Sequence, residues 1–192
     1  MSMSSDTSLM EPDQLDDLVI CAQDGSQECT GRLFDLLANR VYRYVRMRVG
    51  THEVAEDLTQ TVFLEMIRSL HRYKRQEGTK FTTWLFQIAR FRLIDHYRSA
   101  GQATLVDPEF HEGHPALRDD ADPQDALGTD AVLEDALRQL PEQYQTVLHL
   151  RYREDLTTEE IAAVLDTNTG NVRVLQHRAL NQLRTILDLD KL

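Results

Sequence analysis

Apolar residues recur every three or four positions through most of residues 14–99 and again through 130–189. Nowhere do they alternate with the period of two that a half-buried strand needs. Between the two stretches lies GQATLVDPEFHEGHPALRDDADPQDALG, which holds three of the five prolines and three glycines. Its sparse apolar content and self-repelling carboxylates favour an extended tether over a packed core. The pattern predicts an all-α chain: two small helical domains, residues 26–100 and 130–192, joined by a flexible acidic linker at 101–129. Residues 1–25 read as either an unstructured segment or one short helix around Leu15–Cys21. There is no internal repeat.

Within the first half, HEVAEDLTQTVFLEMIRSLHRY is the clearest amphipathic helix. Val54, Leu58, Val62 and Met66 form one i,i+4 row with Ala55, Ile67 and Leu70 beside it, and this side is predicted to face inward. Asp57, Gln60, Thr61, Leu64 and Arg68 occupy the other side. An outward Leu ringed by polar groups suits a docking surface, although a plain solvated face is the commoner case. Next, HRYKRQEGTKFTTWLFQIARFRLIDHYRS opens as a basic loop between Tyr73 and Phe81. It then resumes an apolar stripe of Phe81, Trp84, Leu85, Ile88 and Ala89. Phe81 and Trp84 fit the core better than a stacking platform. Arg90, Phe91, Tyr97 and Arg98 fall off the stripe. Cations interleaved with outward rings are what single-stranded nucleic acid requires, charge for phosphates and flat faces for unstacked bases.

The second half is sharper. AVLEDALRQL leads into PEQYQTVLHLRYR, where Pro141 opens a helix without losing a needed N–H. LTTEEIAAVL follows, with Thr157 and Glu160 spaced as a capping box. A short polar turn precedes GNVRVLQHRALNQLR, for which Thr169 is the expected N-cap. Two short helices around a four-residue turn, the second basic, predict a helix-turn-helix. At 100° per residue, Val172, Leu175, Gln176, Ala179 and Leu183 of the last helix point one way. Arg173, Val174, His177, Arg178, Asn181 and Arg184 point the other, with no carboxylate among them. Arg and Asn can read base edges bidentately, and His, Arg and the helix N-terminus can hold phosphates.

A net charge of −11 argues against nucleic acid until its distribution is considered. Residues 1–17 carry five carboxylates and no Lys or Arg; residues 101–135 carry ten against Arg118. Residues 68–98 instead carry eight cations against Glu77 and Asp95, a net of +6. Such blocks mark interaction surfaces or solvated tails that the total conceals. No apolar run approaches the roughly 20 residues of a membrane span, and the polar N-terminus lacks an export signal, so a cytoplasmic chain without membrane insertion is expected. Cys21 and Cys29 show neither a disulfide framework nor a CxxC spacing and are expected to be ordinary reduced thiols. His111, Glu112 and His114 lack the i,i+4 spacing of a zinc-binding helix. No metal, cofactor or catalytic residue is predicted, and the chain is not expected to be an enzyme.

These segments, in this order, resemble the extracytoplasmic-function (ECF) sigma factors of the sigma-70 family. AEDLTQTVFLEMIR is similar to the family's polymerase-docking helix, typically AEDLVQETFLRAWR. FTTWLFQIARFRLIDHYR resembles FRAWLYRIARNLAIDHLR, which reads the promoter −10 element. LRQLPEQYQTVLHLRYREDLTTEEIAAVLDTNTGNVRVLQHRALNQLR resembles the −35-reading domain from end to end.

The resemblance implies a promoter-specificity factor for bacterial core RNA polymerase. By position, Asp57, Gln60, Thr61 and Leu64 correspond to the docking face for the beta-prime clamp helices. Arg72, Lys74, Arg75 and Lys80 fall on the loop that captures a flipped −10 base, while Phe91, Arg92, Asp95 and Arg98 fall on the −10 helix. Arg173, Val174, His177, Arg178 and Asn181 fall on the −35 recognition helix. The resemblance further implies contact with the beta subunit, an acidic linker threaded through the polymerase's basic channels, and an anti-sigma protein as partner. Three departures stand out. Thr61 replaces the usual Glu, Phe91 replaces a common Asn, and VRVLQHRA replaces VKSRLHRA. The rival expectation is a stand-alone helix-turn-helix transcriptional regulator, which leaves the Asp57/Gln60 face and the basic loop without a role.

Overall fold

The computed structural model describes residues 12–76, 78–99 and 131–187; the acidic linker and the His111–His114 cluster lie outside the described residues. The described residues form α-helices and no strand. The first helix, α1 (Pro12–Gln23), turns at Gly25, whose φ of 91° favours glycine, into α2 (Gln27–Arg46). Residues around Leu15–Cys21 are thus helical rather than unstructured. Ser26 caps α2 by accepting from the Cys29 amide, and Thr51 caps α3 (His52–Ser69) by accepting from Val54. A 3-10 turn at Leu70–Arg72 leads through a loop to α4 (Phe81–Ser99). Successive helices pack pairwise, burying Leu33, Val41 and Tyr44 of α2 with Val62 and Met66 of α3 and Phe81, Leu85 and Phe86 of α4.

Two expectations change here. The buried arc of α3 centres on Ala55, Thr59 and Met66, and Phe63 also faces inward, its ring meeting that of Phe34 edge-on with centroids 4.8 Å apart. Ile67 lies about a quarter-turn round from that centre and is 50% exposed rather than packed. Cys21 and Cys29 are not separate thiols: they form a disulfide linking the last turn of α1 to the first turn of α2.

The second half comprises α5 (Ala131–Arg138), α6 (Glu142–Leu148), α7 (Thr158–Leu165) and α8 (Thr169–Ile186). Pro141 is the N-cap residue of α6, which runs on into one π-helical turn at His149–Arg153. The capping box of α7 forms as expected, with Glu160 reaching back to the Thr157 amide at 2.9 Å. The N-cap of α8 is Asn168, not Thr169. Asn168 adopts the extended backbone of a cap and its Oδ1 accepts from the Asn171 amide at 2.8 Å, which leaves Thr169 as the first helical residue. The α7–turn–α8 unit packs around Ile161, Val164, Val172, Leu175 and Ala179. The two halves also touch each other, α4 lying along α7.

Candidate nucleic-acid interface

On α8, Val172, Leu175 and Ala179 are buried, and Gln176 and Leu183 are half-buried. Arg173, Val174, His177, Arg178, Asn181 and Arg184 are exposed together on the opposite side. Asn181 Nδ2 lies 3.0 Å from His177 Nε2, so these two side chains are aligned along the helix. The inward residues hold α8 against α6 and α7, and Asp166, in the left-handed region at φ 55°, closes α7 so that the turn can start α8. The result is a rigid platform presenting three guanidinium forks and an amide. Those groups match phosphate oxygens and the acceptor edges of bases in a groove.

A second surface lies on α3, where Asp57, Gln60, Thr61, Leu64 and Arg68 are all exposed. Thr61 Oγ1 donates to the Asp57 carbonyl at 2.8 Å, so its hydroxyl is turned back onto its own helix. Leu64 is 54% exposed, and Ile67 beside it and Phe34 on α2 also show apolar surface. Sequence periodicity missed the last two. Phe34 follows the buried Leu33 and lies with its ring against that of Phe63, leaving 44% of its surface exposed.

The basic loop and α4 make the third surface. Arg72, Lys74 and Arg75 are exposed, and Arg75 pairs with Asp16 of α1 at 2.9 Å. Tyr73, Phe81 and Trp84 pack against one another, edge-on or tilted, with ring centroids 4.9–5.3 Å apart, so these rings hold the loop instead of standing free. Burial, followed by the nearby Asp16, pushes the Tyr73 hydroxyl up. Along α4, Phe91, Asp95 and Arg98 are exposed on one side, and Arg92 bridges Glu65 at 3.8 Å and Asp95 at 3.3 Å. Tyr97 is not an outward ring. Its hydroxyl donates to the Arg48 carbonyl, and burial first, then Glu142, pushes it up to about 12.

Lys80 is engaged by the other half of the chain. Its ammonium lies 3.0 Å from Asp155 Oδ2, and its amide donates to Glu160 Oε1 at 2.7 Å. Thr83 Oγ1 donates to the same Glu160 oxygen at 2.8 Å, while Oε2 keeps the Thr157 amide. Glu160 therefore serves the N-terminal turns of α4 and α7 together. Burial works to raise its carboxyl, but these donors hold it below the usual carboxylate range. Nearby, buried Arg48 donates to Thr146 Oγ1 at 2.6 Å and covers the Tyr44 ring at 3.6 Å. Arg40 pairs with Glu154 at 2.5 Å. His149 Nε2 sits 3.4 Å from Glu154 without the alignment of a hydrogen bond.

This junction makes stability pH-dependent. Burial pushes His149 down, so the folded chain keeps it neutral. Burial alone would raise Glu154, yet His149 and Arg40 bring it below the usual range. All three shifts have one sign: the folded state binds protons less readily than the unfolded state. Stability is thus fully present above about pH 6.5, falls first as unfolded His149 protonates, and falls again below about pH 4.3 as the carboxylates do. Melting temperatures from pH 8 to 4 are expected to decline in that order, with His149→Gln flattening the limb between about pH 6.5 and 5. An identical limb in that variant refutes the assignment to His149.

Family profiles match both halves: Sigma-70 region 2 over residues 33–103, and Sigma-70, region 4 over residues 136–185. The chain is 35% identical over 175 residues to the ECF RNA polymerase sigma factor BldN of Streptomyces coelicolor, covering 91% of this chain and 66% of that one. It is 35% identical over 182 residues to the ECF RNA polymerase sigma factor SigD of Mycobacterium tuberculosis, covering 91% and 84%. In fold it resembles CnrH bound to the cytosolic domain of CnrY, with a TM-score of 0.60, 21% identity and coverage of 91% and 97%. It also resembles the sigma factor RpoE bound to the anti-sigma factor NepR from Bartonella quintana, with a TM-score of 0.59, 21% identity and coverage of 83% and 97%.

Proposed function

This chain belongs to the ECF sigma factors of the sigma-70 family, non-enzymatic initiation factors, and on that premise we propose that it binds bacterial core RNA polymerase and selects promoters through their −10 and −35 elements. The observation that carries this reading is the carboxylate-free outward face of α8 on a helix-turn-helix, in a chain of net charge −11. An acidic protein gains nothing from such a face in isolation, and major-groove DNA is its natural partner.

Residues 26–100 act as the polymerase-binding and −10 unit, residues 101–129 as the acidic linker, and residues 130–192 as the −35 unit. Asp57, Gln60, Thr61 and Leu64 dock on the beta-prime clamp helices, with Ile67 widening the apolar part of that surface. Arg72, Lys74, Arg75 and Lys80 hold the phosphates around an extruded −10 base, and Phe91, Arg92, Asp95 and Arg98 line the −10 helix. Unstacking that base costs a few kcal/mol, which the pocket and its cations offset. Arg173, Val174, His177, Arg178 and Asn181 read the −35 duplex. The complexes of CnrH and RpoE support an anti-sigma protein as a further partner. None of the described helices is long and apolar enough to cross a membrane, which is compatible with action in the cytoplasm. A stand-alone regulator is not favoured, because it leaves the exposed Asp57/Leu64 surface idle.

Run-off transcription with core polymerase on a library of promoter fragments tests the reading. A subset of templates is expected to fire only when the chain is present. Asp57→Ala is expected to weaken polymerase association several-fold without altering which templates are chosen; altered choice contradicts the docking role. A chain that protects DNA alone and ignores core polymerase overturns the proposal.

A further inference from the structure

We propose that Cys21 and Cys29 form a reversible dithiol–disulfide site that exchanges with low-molecular-weight thiols and whose state is transmitted through α1 to the basic loop at residues 70–80. The functional consequence rests on the −10 reading of that loop, and the reversibility of the site rests on the proposed action in the cytoplasm. Disulfides that form in a reducing cytoplasm are typically transient or redox-sensing, so a pair bridged there needs a role beyond static bracing. Both cysteines are half-buried, which leaves them within reach of a small thiol, and their Cα atoms are 5.9 Å apart on two elements already packed together. The two sulfurs differ in setting. Cys29 lies in the first turn of α2, where helix amides favour an anion, and Cys21 in the last turn of α1, where carbonyls disfavour one.

The route to the loop is short. Two residues beyond Cys21, Gln23 Nε2 donates to the Leu70 carbonyl at 2.9 Å and to the Tyr73 carbonyl at 2.8 Å, gripping both ends of the 3-10 turn that opens the loop. One face further back, Asp16 pairs with Arg75. Tyr73 in turn packs at a tilt against Trp84, the only tryptophan of the chain. With the disulfide closed, α1 is fixed to α2 and Gln23 is held over the turn. With it open, the last turn of α1 loses that restraint and its grip on the loop loosens.

The chemistry balances as thiol–disulfide exchange. To close, a Cys29 thiolate attacks a small-molecule disulfide RSSR, forming a Cys29–SR mixed disulfide and releasing RS⁻. The Cys21 thiolate then attacks the Cys29 sulfur and releases the second RS⁻. Two protein thiols are oxidised, one RSSR is reduced to two RSH, and the two protein protons pass to the released thiolates. Opening is the reverse.

The test equilibrates the full chain in buffers of graded reduced and oxidised glutathione and reads two signals: thiol alkylation by mass, and Trp84 emission. The disulfide fraction is expected to rise from nearly none to nearly all across the series, with Trp84 emission following it and moving to longer wavelength in the reduced form. A pair that stays in one state throughout, or that switches while Trp84 stays unchanged, overturns the proposal. Gln23→Ala is expected to titrate like the native chain by mass while Trp84 no longer follows; full tracking in that variant overturns the route. Cys21→Ser/Cys29→Ser is expected to show one emission spectrum in every buffer, and tracking there overturns the site. Run-off that ignores redox state while both other signals switch refutes the −10 reading of the loop and leaves the redox site standing.

Discussion

Glu160→Ala is expected to lower the stability of the chain by about 2–4 kcal/mol and to part its two halves. The loss combines a capping box, worth about 0.5–2 kcal/mol, with buried donors stranded at about 1–3 kcal/mol. Both contributions apply because Glu160 is only 3% exposed and each of its oxygens is engaged: Oε2 by the Thr157 amide, Oε1 by the Lys80 amide and the Thr83 hydroxyl. Thr83 is itself 1% exposed, so water does not replace the lost acceptor without opening the junction. Urea unfolding measures the first effect and small-angle scattering the second, as a larger radius of gyration. A loss below about 0.5 kcal/mol with unchanged dimensions contradicts the double-capping role. Glu160→Gln separates charge from geometry, since its amide keeps one acceptor for three donors. The same junction holds the Lys80 ammonium on Asp155. One ammonium cannot serve that carboxylate and a promoter phosphate together, so the parted chain presents a more basic loop.

Arg178→Ala is expected to weaken selected promoters by about 1–3 kcal/mol, roughly 5- to 150-fold, with polymerase binding unchanged. Arg178 is exposed in the middle of α8, and none of its neighbours on that face is acidic, so its fork is free of a competing carboxylate. The substitution removes no buried contact and places a strong helix former in a helix, leaving the fold intact. Run-off across −35 variants reads the effect as lost discrimination at one or two base positions. An equal loss on every template makes Arg178 a phosphate contact; no loss on any template refutes its placement in the groove.

Legibility in the sequence followed the range of the interaction. The outward face of α8 and the Thr157–Glu160 box are set by residues three or four apart, and both stand where the sequence puts them. The exposure of Ile67 depended on where the arc of α3 is centred, which Phe63 and Phe34 decide from two different helices. Asn168 and Thr169 are both competent caps, and only the backbone at the turn selects between them. The Cys21–Cys29 bond needs the hairpin at Gly25 to bring two helix ends together, and eight positions of separation carry no such signal. Least legible was the junction. Glu160 advertised its own helix cap, while its partners Lys80 and Thr83 lie about 80 positions away, and nothing in the local sequence around Arg40, Arg48 or Glu154 marks their partners. Charges paired at that separation leave no periodicity in the chain.

That separation also shapes how the molecule comes together in time. Within each half, contacts join helices that are adjacent or close in the chain, the circumstances in which helical proteins fold in microseconds to milliseconds. The bonds of Lys80, Arg48 and Arg40 across the junction span 75, 98 and 114 positions and can form only after both partners are folded. Docking is therefore a separate, later event in folding. Its entropic cost grows slowly with the chain between Ser99 and Ala131, by about 0.6 kcal/mol for each doubling of length. A ribosome releasing this polypeptide from its N-terminus thus passes through an interval in which the first half is complete, its basic loop is unclasped, and Glu160 has not yet been made.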